Sequence, residues 1–158
     1  MQVHVPSYSA FRSAAHAFHA QMIQALDALR QRSSPSEQQA RWQLLEPALL
    51  DHMQLEEALL LPEFDLGLSD QAARIRQEHE RIRRLAMHLS EVAPRACLDG
   101  ALVAELLRLV RECAALEERV LYPWADLRLP QWKKATFVQR TEGVTRAGFG
   151  PGPSLAVS

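Results

Sequence analysis

A thirteen-residue motif that occurs twice constrains this chain more than any other feature. LDHMQLEEALLLP spans Leu50 to Pro62, and RECAALEERVLYP spans Arg111 to Pro123, at an offset of 61. The copies share Leu55/Leu116, Glu56/Glu117, Glu57/Glu118, Leu60/Leu121 and Pro62/Pro123, while His52 is matched by Cys113. In the first copy a histidine and a glutamate four residues apart lie on one helical face, where two metal ligands can converge. The second copy keeps the glutamate and carries a thiol in place of the imidazole.

The duplication extends upstream. His19 and His79 are related by an offset of 60, followed by the pairs Met22/Ile82, Ala25/Leu85 and Leu29/Leu89. The plan is a helix with a histidine, then a helix with His or Cys plus Glu, twice over. Apolar spacing predicts a first helix over Ser9–Gln31, with Phe11, Ala15, Phe18, Met22, Ala25 and Leu29 on its core stripe. Ser34, Pro35 and Glu37 supply an N-cap, an N1 proline and the acid of a capping box. The second helix then runs toward Leu61, with Pro47 demanding a kink or a division into two pieces. PEFDLGLSD reads as a turn whose Ser69 caps a third helix, which reaches Val92 and stops before Pro94. Asp99 caps a fourth helix, from Gly100 to Leu121. Four such helices with short connections predict an all-α, up-down-up-down four-helix bundle with an internal two-fold pseudo-repeat. Pro123, Pro130, Lys133 and Lys134 mark an irregular passage with a short helix over one end, closing a domain over residues 1–142. The Gly- and Pro-rich run 143–158 is expected to be a flexible tail outside the core.

Composition narrows the function. At 158 residues the chain fits one domain with a substantial core. A net charge of −1 gives no reason to expect nucleic acid or an anionic membrane as partner. Arg81, Arg83 and Arg84 lie beside Glu78 and Glu80, which reads as a mixed solvated face. The N-terminus lacks the pattern of a secretory signal, and no stretch approaches an uncharged membrane span. Cys97 and Cys113 are too few for a disulfide framework, so a cytoplasmic location is the simplest expectation. An apolar content of 47% suits a compact bundle and an interaction module equally, and leaves a homo-oligomer open.

Antiparallel helices joined by short loops can bring His19, His52, Glu56, His79, Cys113 and Glu117 to one level of the core. Taken singly, a core histidine or a lone HxxxE is more often structural than ligating. Jointly, each inward polar residue falls at an equivalent place in the duplication. Two neighbouring carboxylates in an apolar core are costly without compensating cations, which is the reason to invoke metal. Imidazole and carboxylate suit iron, zinc, manganese or cobalt without choosing among them. His16, one turn before His19, competes for the first position. His88 is about 13 Å along the helix from His79 and falls outside the centre. His4 precedes the bundle, Glu57 and Glu118 are expected in solvent or in helix contacts, and Trp42, Trp124 and Trp132 in packing. Tyr122 is placed to close the bundle near the motif's end.

At these residues the chain resembles the hemerythrin-like, or HHE cation-binding, family. His19 looks like the first-helix ligand, and HMQLE within the run ending EEALLLP looks like the second-helix HxxxE. QEHERIRRL resembles the third-helix element around His79, and CAALEERVLYP the fourth-helix HxxxE with Cys113 in the histidine position. The resemblance covers roughly residues 10 to 125. It implies a non-haem diiron centre in which Glu56 and Glu117 bridge, His19 and His52 serve one iron, and His79 with position 113 serves the other. Members bind dioxygen reversibly or respond to oxygen, iron or oxidants. Two departures matter: Cys113 replaces an expected histidine, and Arg83 stands four residues after His79, where some oxygen carriers have another. Cys113 thus has three outcomes: a thiolate ligand favouring an oxidation-prone iron or zinc, a neutral neighbour of a weakly occupied second site, or part of a degenerate centre. The expectation is a non-haem metal protein, with iron at one sound and one doubtful site, in oxygen, iron or redox sensing or binding. Its alternatives are a diiron oxidoreductase acting on peroxide or nitric oxide and a metal-free structural or interaction module.

Overall fold

Ser9 opens the first helix by accepting the Arg12 N–H on its hydroxyl at 3.2 Å, so that α1 runs Ala10–Ala28. The structure is a computed structural model that describes residues 9–31, 33–95 and 97–149. His4 and residues 150–158 of the expected tail lie outside the described residues. Phe11, Ala15, Phe18, His19, Met22, Ala25 and Leu26 form the buried stripe of α1, at the three- and four-residue spacing of an amphipathic helix.

The second helix, α2, spans Pro35–Leu59, with Ser34 Oγ accepting the Glu37 N–H at 3.3 Å and proline in its first turn. It passes Pro47 without a break, so of the two alternatives, a kink or a division into two pieces, the division does not occur. The PEFDLGLSD segment departs from expectation: instead of a turn it holds a short helix, α3, at Leu61–Gly67, joined to α2 at Leu60. Pro62 falls in the first turn of α3, where its missing N–H costs nothing, and therefore begins a helix instead of ending one. The next helix, α4, covers Ser69–Val92, with Leu68 in the cap position and no side-chain cap. Ser69 is its first helical residue and not the expected N-cap. Asp99 caps α5, Gly100–Leu116, by accepting the Ala101 N–H at 2.8 Å.

Beyond Leu116 the chain continues as a π-helical turn, Glu117–Leu121, in which the Tyr122 N–H reaches back five residues to the Glu117 carbonyl. Helix α6, Tyr122–Arg128, follows with Pro123 in its first turn. The expected short end helix is in fact this piece plus a full helix, α7, Gln131–Ala147, which packs against α1 and α2. The expected domain boundary at 143 falls inside α7. At its end Gly148 takes a φ of 75°, a left-handed conformation that glycine adopts without strain, and Phe149 returns to pack in the core against Phe18.

The described residues form helices and their connections, without strands. The most extensive helix pairs are α1 with α7 and α4 with α5, with α1 also on α5 and α2 on α4. No described helix is long and apolar enough to cross a membrane. The apolar interior is divided in two. One cluster gathers Phe18, Met22, Leu45, Leu49, Met53, Ile82, Leu106 and Val110, and the other Phe11, Ala15, Leu55, Leu60, Ile75, Leu121 and Phe137. Between these clusters, on α1, α2, α4 and the π turn, lie His19, Glu56, His79 and Glu117.

Candidate metal centre

Helices α1, α2, α4 and α5 with the π turn each bring one or two polar residues to this level, where their apolar stripes are interrupted. On α1, His19 stands between Ala15 and Met22; on α4, His79 stands between Ile75 and Ile82. On α2, His52 and Glu56 share a face one turn apart, and Cys113 and Glu117 do the same across the junction of α5 and the π turn. All six are buried, with Glu56 and His79 at 0% exposure. Among the described residues, the buried polar and charged set includes no lysine or arginine. Two carboxylates at this depth therefore depend on imidazolium protons or on a metal ion for compensation.

The donor atoms form two groups, within each of which they lie no more than 4.8 Å apart: His19, His52, Glu56 and Glu117 in one, His79, Cys113 and Glu117 in the other. Glu117 belongs to both. In the first group His19 Nε2 is 3.3 Å from His52 Nε2 and 3.1 Å from Glu117 Oε2, and His52 Nε2 is 3.1 Å from Glu56 Oε1. In the second, His79 Nε2 is 3.0 Å from Glu117 Oε1, and the Cys113 thiol donates to that same oxygen at 2.9 Å. Glu56 Oε2 is buried without a well-formed hydrogen bond, its nearest partner being His79 Nε2 at 3.3 Å. The structure thus brings together all six residues singled out from the sequence. His16 is not among them: it is exposed, with Nδ1 2.8 Å from Glu118. His88 is exposed on the outer face of α4.

These separations test whether a metal fits. Ligand bonds of about 2.0–2.2 Å imply donor-to-donor edges of roughly 3.0 Å in an octahedron and roughly 3.4 Å in a tetrahedron. The observed spacings of 2.9–3.3 Å are close to that range, and a cation would give the poorly partnered buried oxygen of Glu56 a partner. The donor set fits.

Glu57 and Glu118, expected in solvent or in helix contacts, reach across the molecule to the outer nitrogens of the histidines. His79 Nδ1 lies 2.8 Å from Glu57 Oε1, and His19 Nδ1 lies 3.4 Å from Glu118 Oε1. The second glutamate of each motif copy therefore orients the histidine of the other half, the relation that fixes ring tautomer and raises ligand basicity around metals. Arg83, four residues after His79, clamps Glu57 with two bonds of 2.8 and 2.7 Å. Tyr122, expected only to close the bundle, puts its hydroxyl into the first donor group: it bonds Glu56 Oε1 and lies 3.2 Å from His19 Nε2 and 3.3 Å from His52 Nε2.

The charges are strongly coupled. Burial works against an imidazolium at His19, but hydrogen bonds with Glu117 and then Glu118 outweigh it and hold the ring up at about 10. His79 is likewise pushed upward against burial by its contacts with Cys113, Glu117, Glu56 and Glu57. Burial raises the Glu117 carboxyl, yet His19 and His79 hold it well below the ordinary range. Glu57 is lowered to about 2, because bonds from His79 and Arg83 overcome partial burial. Burial, and then the Glu117 charge, push the Cys113 thiol up. In the metal-free protein it is a neutral donor. A thiolate there requires a cation.

A model of the hemerythrin HHE cation-binding domain matches residues 11–125. No curated protein and no solved structure matches the chain.

Proposed function

Because the chain belongs to the hemerythrin HHE cation-binding domain family, we propose that it is a non-haem iron protein with an unequal two-metal centre, serving oxygen, iron or redox sensing or binding. The observation that carries this reading is the pair of buried donor groups that share Glu117. His19, His52, Glu56 and Glu117 would hold one ion, and His79, Cys113 and Glu117 the other. Iron bound there supplies a reversible redox change and an affinity for dioxygen or another small redox ligand. The protein's own part is to orient and to exclude water. Glu118 and Glu57 hold the His19 and His79 rings, and Phe18 stacks on His52 at 4.0 Å. Phe137 from α7 lies 5.9 Å from His52 and covers the layer from outside. The same donors accept zinc or manganese, and elemental analysis decides between them.

The architecture we infer is an up-down-up-down four-helix bundle made of two pseudo-two-fold halves, extended by α3, α6 and α7. The reciprocal pairs Glu57–His79 and Glu118–His19 support it. The free thiols of Cys97 and Cys113 support a cytoplasmic location. A second reading is a diiron oxidoreductase acting on peroxide or nitric oxide. It is favoured by two small cavities that reach the layer. One, of about 60 Å³, has His52 and Thr141 on its wall, and the other, of about 120 Å³, is lined by Arg12, His16, Glu118 and Tyr122.

The test is anaerobic purification, measurement of metal identity and stoichiometry, and absorption spectra before and after air exposure. Two irons per chain with an oxo-bridge charge-transfer band support the diiron reading. One firmly held iron and one readily lost support the unequal centre. Failure to bind metal after loading with ferrous iron sinks both and leaves a structural or interaction module.

A further inference from the structure

We propose that the phenol oxygen of Tyr122 is a fifth donor to the ion held by His19, His52, Glu56 and Glu117, an inference that rests on the metal-centre reading above. A phenol has one proton and normally satisfies one acceptor when buried. The Tyr122 oxygen instead faces four polar atoms: it hydrogen-bonds Glu56 Oε1 and lies 3.2 Å from His19 Nε2, 3.3 Å from His52 Nε2 and 3.3 Å from Glu117 Oε2. The contacts of 3.2–3.3 Å are compatible with edges of a coordination shell, and a single phenol proton cannot serve all four neighbours.

The fold holds the oxygen there deliberately. The Tyr122 ring is 1% exposed and is braced edge-on by Phe11 at 5.9 Å, with Phe137 at 6.1 Å. The π turn supplies the phase. Five residues of α-helix would carry Tyr122 about 140° round from Glu117. The five-residue hydrogen bond from the Tyr122 N–H to the Glu117 carbonyl returns both residues to nearly the same side. Pro123 favours that turn, because it has no N–H to offer the Arg119 carbonyl.

The counterpart of Tyr122 in the first motif copy is Leu61, buried and without a polar atom. One group therefore has five candidate donors, two imidazoles and three oxygen groups, while the other has one imidazole, one thiol and the shared carboxylate. Binding breaks the phenol O–H bond, forms an O–metal bond and releases the proton to solvent. Three anionic oxygen groups around one ion favour the ferric over the ferrous state. The five-donor site becomes the firmly held, oxidised position and the His79–Cys113 site the exchangeable one.

The experiment loads wild type and Tyr122→Phe anaerobically with ferrous iron, oxidises both with ferricyanide, and records iron content, visible absorption and resonance Raman spectra. Circular dichroism checks that the variant, which lacks only one oxygen, is folded. Wild type is expected to show a phenolate-to-ferric charge-transfer band with phenolate ring modes. The variant is expected to lose both while its tighter iron is held on the order of 10- to 100-fold more weakly. Iron-loaded wild type without phenolate modes, or a variant with an unchanged spectrum, overturns the assignment and leaves Tyr122 as a hydrogen-bonding neighbour of a metal site that stands. Iron bound by neither protein overturns this assignment together with the reading beneath it.

Discussion

The two motif copies place their glutamates alike and differ in what surrounds them. In the first copy His52 and Glu56 share a group with a second imidazole, His19. In the second, Cys113 and Glu117 Oε1 meet a single imidazole, His79, and the thiol spends its proton on that oxygen, while Glu117 Oε2 faces His19 in the first group. The lesson is that carboxylates and their orienting partners set the framework, while on the reading proposed above the nitrogen donors would set how firmly each position holds an ion.

The largest effect is expected where the two groups meet. Glu117→Ala removes a donor from both, so both ions should be lost in elemental analysis. The metal-free variant should also be less stable by about 3 kcal/mol in urea titration, since it breaks buried ion pairs with His19 and His79. Equal metal content in variant and wild type would contradict the shared role.

Alkaline pH probes the same compensation without mutation. His19 is raised in the folded state to about 10 from an ordinary 6.5, so its stabilisation is complete below about 6.5 and is lost as pH rises through about 10. The melting temperature of the metal-free protein should fall across that window, and iron should blunt the fall by replacing the protons. At the acid end Glu57, lowered to about 2 from 4.5, contributes stability above 4.5 that disappears as pH drops toward 2.

The inequality itself is sharpened by exchanging the donors. His52→Ala should weaken the tighter ion by more than the roughly 100-fold that loss of an outer partner costs, whereas Cys113→Ser should leave that ion in place. Cys113→His should raise the occupancy of the weaker position toward two irons per chain, read by elemental analysis. No gain there would remove the thiol as the cause of the asymmetry. The smallest effect belongs to the orienting carboxylates. Glu57→Gln should weaken the His79 position about tenfold and Glu118→Gln the His19 position by a similar factor, each measured by competition with a chelator.

Much of this centre was legible in the sequence because two registers carry it. The offset that relates His19 to His79 and the offset that relates the HxxxE copies place six polar residues on inward faces, and the structure gathers those six. Tyr122 escaped because a regular helical count turns it away from Glu117, and only the π turn brings it back. Glu57 and Glu118 escaped for a related reason. A residue one step from an inward position points sideways, and whether sideways means water or a neighbouring helix depends on packing that the periodicity does not encode. Helix α3 was masked by Pro62, which punctuates a helix end in sequence and opens a first turn in space. Helix α7 has a weak stripe, with Phe137 and Thr141 its only buried residues among those described, so its glycine-containing end read as tail.

The polar layer that separates the two apolar clusters has a consequence for cooperativity. Every long helix crosses from one cluster to the other through a level held by proton sharing instead of apolar contact, and opening that level exposes little apolar surface. Without an ion the clusters would then be expected to behave as two folding units threaded on common helices, one able to open before the other. An ion bound from α1, α2 and the π turn would clamp those units into one, and the metal would then be read out over the whole length of the molecule as a change from stepwise to concerted unfolding.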